Sequence, residues 1–125
     1  MKNRIAEANT ELEYFFGTRT TGYNPATDKL TEAKVVDKYP VIDNEYTPYY
    51  AMTPVQTSYV KAIAETRRRD FIHEGIRYFD MKRFNIEVVH ETFGKPANTL
   101  IKDDKRRALQ IPLSASSNGV EKNPR

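Results

Sequence analysis

The residues best equipped for chemistry lie close together. Asp70 and Glu74 are carboxylates four positions apart, a spacing that puts two side chains on one face of a helix, where a pair can move a proton or hold a metal ion. Arginines accompany them. Arg67 precedes Asp70 by three positions, Arg77 follows Glu74 by three and precedes Asp80 by three, and Arg83 follows Asp80 by three. A carboxylate with a cation at each neighbouring turn is neutralised before it can act as a free base. Arg67, Asp70, Glu74, Arg77, Asp80 and Arg83 therefore read as a structural ion-pair ladder, and no catalytic residue is assigned.

Other chemistries find weaker footholds. His73 and His90 are the two histidines, and neither has a partner at a recognised metal-ligand spacing; His73-Glu74-Gly75 is not the H-E-x-x-H arrangement. The five glycines are scattered and form no phosphate-cradling loop, so no metal or cofactor is expected. Arg67, Arg68 and Arg69, with Lys105, Arg106 and Arg107, are the material of a phosphate-binding surface. Asp70 follows the first cluster and Asp103-Asp104 precedes the second, which cancels much of that field, and nucleic acid is not expected as a partner. Tyr46, Tyr49 and Tyr50 are a more suggestive group. A tyrosine ring stacks on the apolar face of a sugar while its hydroxyl makes polar contacts, which makes these three the candidate ligand-binding residues. Core packing or an interface explains a tyrosine more often.

The elements that must position these groups follow from periodicity. Thr53, Pro54 and Gln56 form a capping box with proline at the first helical position, placing an N-cap at Thr53. From there a long helix is expected over 54–74, with Ile63, Ala64, Phe71 and Ile72 beside the charged stripe. Gly75 supplies the backbone freedom to end or kink it, and a shorter helix should follow over 76–84. Upstream, Ile5, Ala8, Leu12, Tyr14 and Phe15 predict an amphipathic helix over 2–16 stopped at Gly17. A loop should cover 18–28 and a short helix 29–39, ended by Pro40; residues 40–53 should be irregular. Downstream, alternation over 87–93, a turn at 94–96 and a short apolar run at 108–111 suggest a small β-hairpin. The tail from Ser114 reads as extended or loop structure.

Composition limits the whole. At 125 residues the chain is about one domain, of a size that buries roughly two-thirds of its unfolded surface. Twenty basic against 17 acidic residues leave a net charge of only +3, weak support for a polyanionic partner. There is no cysteine, hence no disulfide, thiolate metal site or lipid-modified cysteine in this chain. No apolar run approaches the roughly 20 residues that cross a bilayer. With 38% hydrophobic residues and aromatics in stretches without a periodic partner, some apolar surface should await cover from elsewhere. The chain reads as part of something larger.

Three ordered segments carry a family resemblance: 67–75 with Arg77, then Phe79-Asp80 with Lys82-Arg83, then Leu109-Gln110-Ile111-Pro112 with Asn123-Pro124. Together with YTPYYAMTPVQ and ANTELEYFFGTRTTGYNP upstream, they resemble the C-terminal region of the SusD/RagB family of outer-membrane nutrient-binding lipoproteins. Thr66 departs from the pattern, standing where glutamate is expected. The resemblance implies a mainly α fold, a SusD-like C-terminal segment with small hairpin and long loops, belonging to a longer chain. It implies non-catalytic binding of a glycan or oligosaccharide, with a TonB-dependent outer-membrane transporter and the upstream part of the same protein as partners. The location implied is the cell-surface face of the outer membrane, through a lipid anchor not present in this chain. No ligand-binding residue carries over, because the motifs here are structural. The alternative is a small intracellular helical module that binds nucleic acid or protein through its arginine clusters.

Overall fold

Residues 4–123 are described in the computed structural model. Helix α1 spans Ile5–Arg19, α2 Glu32–Lys38, α3 Pro54–Asp70, α4 Ile76–Arg83 and α5 Leu113–Ser117; strands β1 Val88–Thr92 and β2 Lys95–Leu100 form an antiparallel hairpin, and a 3-10 turn covers Lys105–Arg107. The fold is mainly α with a small hairpin.

Helix α3 is the axis. Thr53 caps it: its hydroxyl accepts from the Gln56 amide at 3.3 Å while the Gln56 side chain accepts from the Thr53 amide at 3.0 Å. Such a reciprocal cap satisfies two of the otherwise orphaned donors at a helix start. Consecutive residues from Thr57 to Ala62, and then Ala64, are buried, so cover comes from more than one side. On one side Tyr59 and Ala62 pack with Leu12 of α1 and Val35 of α2, and on the other Val60 packs with Phe84 and Ile86. Helix α3 thus contributes to both apolar clusters, Tyr59 and Ala62 to one and Val60 to the other.

Several boundaries differ from expectation for identifiable reasons. Helix α1 does not stop at Gly17 but continues to Arg19; a Cβ at Gly17 would lie 3.2 Å from the Tyr23 ring, so this glycine serves close approach, not termination. The expected start at Lys2 lies outside the described residues. Helix α2 begins at Glu32, later than residue 29, because the Thr31 side chain accepts from the Lys34 amide and sets the cap there. Helix α3 ends at Asp70, not Glu74. His73 and Gly75 both adopt left-handed backbone, at φ 73° and 72°, and two such residues so close together end regular helix before residue 75. The partner of β1 is not 108–111 but β2, whose register pairs Val88 with Leu100 and His90 with Asn98. Part of the expected turn, Pro96, lies inside that edge strand, where a missing amide is tolerated. The tail contains α5 where loop was expected.

Candidate functional site

Breaking α3 at Asp70 rearranges the expected ladder. Arg67 reaches across to Asp80 of α4, Nε to Oδ2 at 3.0 Å, and Asp80 is buried. Asp70 pairs instead with Arg19 of α1 at 3.8 Å. Arg77 faces Glu65 at 3.5 Å, not Glu74 or Asp80. Among the described residues Glu74 and Arg83 form no ion pair, and Arg83 lies 5.9 Å from the Phe84 ring centroid. The expected single intrahelical stripe is therefore three separate cross-links: α3 to α4 twice and α1 to α3 once. At Thr66 the hydroxyl donates to the Ala62 carbonyl at 2.8 Å, and the neighbouring Glu65 serves both Arg68 and Arg77.

The three candidate tyrosines sit on segment 40–53, which is irregular yet firmly tied. Lys61 of α3 reaches out of the core to donate to the Pro40 carbonyl at 2.6 Å and to Glu45. Thr47 bonds through its amide to the Phe84 carbonyl at 3.0 Å and through its hydroxyl to the Asn85 carbonyl at 3.1 Å. These bonds pin the segment to both α3 and the end of α4. The tyrosines nevertheless do not converge. Tyr46 turns inward against Phe84, with ring centroids 5.9 Å apart; burial pushes its hydroxyl pKa up, and the neighbouring Arg77 guanidinium opposes that rise. Tyr49 is 79% exposed, and its hydroxyl donates to Asp103 at 2.6 Å. That bond to a carboxylate raises its pKa. Tyr50 is exposed without a hydrogen bond among the described residues. One of the three belongs to the core and two remain available to a ligand.

The basic clusters are largely spent on the protein itself. Arg67 and Arg68 pair with Asp80 and Glu65. Arg106 grips Asp104, holding its carboxyl at about 2, well below the ordinary range, and also donates to the Thr99 carbonyl at 2.7 Å. Arg107 donates to the carbonyls of Met81, Ile86, Leu100 and Ile101, locking α4, the chain that follows it and the hairpin's second strand into one unit. Only Arg69 and Lys105 in the two clusters lack an acidic or carbonyl partner among the described residues. In the same portion of the chain no group of three or more histidine, aspartate or glutamate side chains is placed to hold a metal ion, and no helix is long and apolar enough to cross a membrane.

A different feature, visible only in three dimensions, is a groove of about 460 Å3 between α1 and α3. Leu12, Phe15, Ile63 and Phe71 line it, with Glu11, Arg19, Arg67 and Asp70 among its charged residues. Nearby in sequence, Tyr14, Ile72 and Phe79 are 72%, 66% and 63% exposed. Of these, Tyr14 also lines the groove, which extends its apolar wall to a side chain open to water. Sequence periodicity places Phe71 and Ile72 on the apolar side of the helix expected over 54–74; in the structure α3 ends at Asp70 and both side chains are exposed.

The residues whose structural roles the sequence does not reveal are Lys61, Asn85, Asp103 and Arg107. Two of them carried a faint signal: Asn85 and Asp103 are of the types that tolerate left-handed backbone, and both adopt it, at φ 49° and 58°. Comparison with family models, curated proteins and solved structures finds no match to the chain. Any family assignment rests on the residues themselves.

Proposed function

We propose that this chain is the C-terminal segment of a SusD-like binding protein, which captures a glycan or similar nutrient at the cell-surface face of the outer membrane and passes it to a TonB-dependent transporter without catalysing a reaction. The observation that supports it is what the motif residues do. The first and second motif segments are tied by Arg67 to Asp80. The third closes on itself, with the Asn123 side chain donating to the Leu109 carbonyl at 2.6 Å and its amide to the Gln110 side chain at 3.1 Å. Between them, Tyr78 next to the second segment donates to the Arg107 carbonyl at 2.7 Å, two residues before the third. Pro124 lies outside the described residues. A motif made of such ties defines a scaffold, as the resemblance implies, and leaves ligand contact to other positions.

The groove between α1 and α3 supports the same reading, since upstream helices of a longer chain would cover it. The arginine-cluster alternative draws no comparable support, because most of those guanidiniums already have partners. A pull-down of the chain on plant and host polysaccharides, run beside a salt-titrated DNA-binding assay, tests the choice. Glycan retention with negligible DNA binding is expected; tight DNA binding that falls steeply with salt would reverse it. Sedimentation with a hydrophobic-dye titration tests the uncovered groove. Self-association or dye uptake is expected, and a monomer that takes up no dye contradicts it.

A further inference from the structure

Tyr49 combines two properties that rarely coincide. Its side chain is 79% exposed, so burial contributes little to holding it, yet the tip of the ring is fixed by a 2.6 Å bond to Asp103 Oδ1. Asp103 is itself held: the Asn85 amide group donates to the same oxygen at 3.2 Å, and the Asp103 backbone amide returns a bond to Asn85 Oδ1 at 3.2 Å. Asn85 is only 2% exposed and anchors this chain of contacts in the interior. Both Asn85 and Asp103 accept left-handed backbone to make it, a local cost that persists only where the surroundings enforce it.

The second oxygen of the same carboxylate is open. All the side-chain bonds to Asp103 go to Oδ1, and among the described residues nothing donates to Oδ2. The surface thus presents a fixed aromatic face beside a free carboxylate oxygen. A pyranose offers the matching pair, an axial C–H face that packs on an aromatic ring and equatorial hydroxyls that donate at its rim. Fixing the ring beforehand removes the rotamer entropy that binding would otherwise cost. We propose that Tyr49 is a stacking platform for a sugar ring of a bound glycan, with Asp103 as the hydroxyl acceptor beside it; this rests on the glycan-binding reading and assigns its contact site. A single platform of this kind binds weakly, and its occupant is a neutral sugar ring, since a carboxylated one would face the Asp103 charge.

The test is an NMR titration of the 125-residue chain with cello-, xylo-, manno- and maltohexaose at millimolar concentrations, following the tyrosine ring protons. At least one sugar should shift the Tyr49 ring signals. Tyr49→Ala should weaken its binding by about tenfold, Tyr49→Phe should retain part of the affinity because the ring remains without its tie, and Asp103→Asn should also weaken it. Phe93→Ala, which removes an exposed but unfixed ring at the hairpin turn, should bind as the parent does. Circular dichroism melts of each variant separate binding from folding. If a sugar binds and Tyr49→Ala binds it equally well, Tyr49 is a loop tether and only this inference fails. If none of the four sugars shifts the Tyr49 ring signals, this inference fails, and if the polysaccharide pull-down is also negative, the glycan reading fails with it.

Discussion

The two halves of the molecule are held together by different physics. Helices α1, α2 and α3 pack through Leu12, Val35, Tyr59 and Ala62, with Ile5, Ala8, Phe16, Leu30, Tyr39 and Val55 around them. That half relies on apolar burial, which is non-directional and tolerates exchange of one hydrophobic residue for another of similar volume. From α4 onward the apolar inventory is thin: Phe84 and Ile86 form a small second cluster with Val60 of α3, and the hairpin strands are mostly exposed. There the chain is tied by side chains that donate to backbone carbonyls, Arg107 to four of them and Asn123 to one. Hydrogen bonds are directional, and a carbonyl left unpaired by a mutation costs its full desolvation where water cannot reach it. The halves should therefore fail in different ways.

The largest effects should come from removing the central group of each half. Leu12→Ala should cost about 3 kcal/mol by deleting buried methyl groups and leaving a cavity, and should unfold the whole chain. Arg107→Ala should cost about as much, on the order of 3 kcal/mol, because the Ile86 and Leu100 carbonyls lose this donor together, while those of Met81 and Ile101 keep the Ile86 and Asp104 amides. Its damage should be local. Hydrogen exchange read residue by residue should show the amides of 81–101 losing protection while α1 to α3 keep theirs. Arg107→Lys should rescue little, since an ammonium cannot reproduce the planar fork that spans these carbonyls. Uniform loss of protection in both Arg107 variants would mean that the two halves form one cooperative unit.

A smaller difference sharpens the same contrast at the α3–α4 junction. The Asp80 carboxylate is 2% exposed and meets Arg67 at 3.0 Å, whereas the Glu65 carboxylate is 23% exposed and meets Arg77 at 3.5 Å, with Arg77 Nη1 unpartnered. Asp80→Ala should cost about 2 kcal/mol, because the Arg67 guanidinium loses its carboxylate but can turn partly to water. Arg77→Ala should cost less than about 1 kcal/mol, as expected for a partly solvated pair of imperfect geometry. Read from the sequence as the shared partner of Glu74 and Asp80, Arg77 would be the more critical residue. Thermal melts that rank Arg77→Ala above Asp80→Ala would restore that view.

How much was legible in the sequence follows the same division. The capping box at Thr53 and Gln56 announced α3 because capping is local, decided by residues three apart. The apolar spacing in α1 was equally local. The end of α3 was missed because His73 adopts a left-handed conformation that its residue type only weakly favours, and the ladder of six charges was misassigned as a consequence. Glu65 and Arg19, the true partners of Arg77 and Asp70, lie off the expected stripe and enter it only through the folded geometry. The basic cluster at 105–107 read as surface charge. Nothing local in the sequence distinguishes a solvated arginine from one like Arg107, whose acceptors lie between six and 26 residues away.

The smallest effect concerns Asp104, and it tests whether the ties of the second half also govern ionisation. The Arg106 side chain, followed by the Arg106 backbone amide, lowers the Asp104 pKa from 3.8 to about 2. A carboxyl whose folded pKa lies below its unfolded value contributes stability that is fully present above the unfolded value and is lost as pH falls through the folded one. The contribution should therefore be complete above about pH 4 and fade between there and about pH 2. Following the Asp104 carboxyl carbon by NMR should give a midpoint near the lower figure, and Arg106→Ala should return it toward the ordinary value while leaving α1 to α3 unaffected. A parent midpoint close to 3.8 would mean that Arg106 samples solvent rather than Asp104. Its bond to the Thr99 carbonyl, and with it this link between the 3-10 turn and β2, would then hold only part of the time.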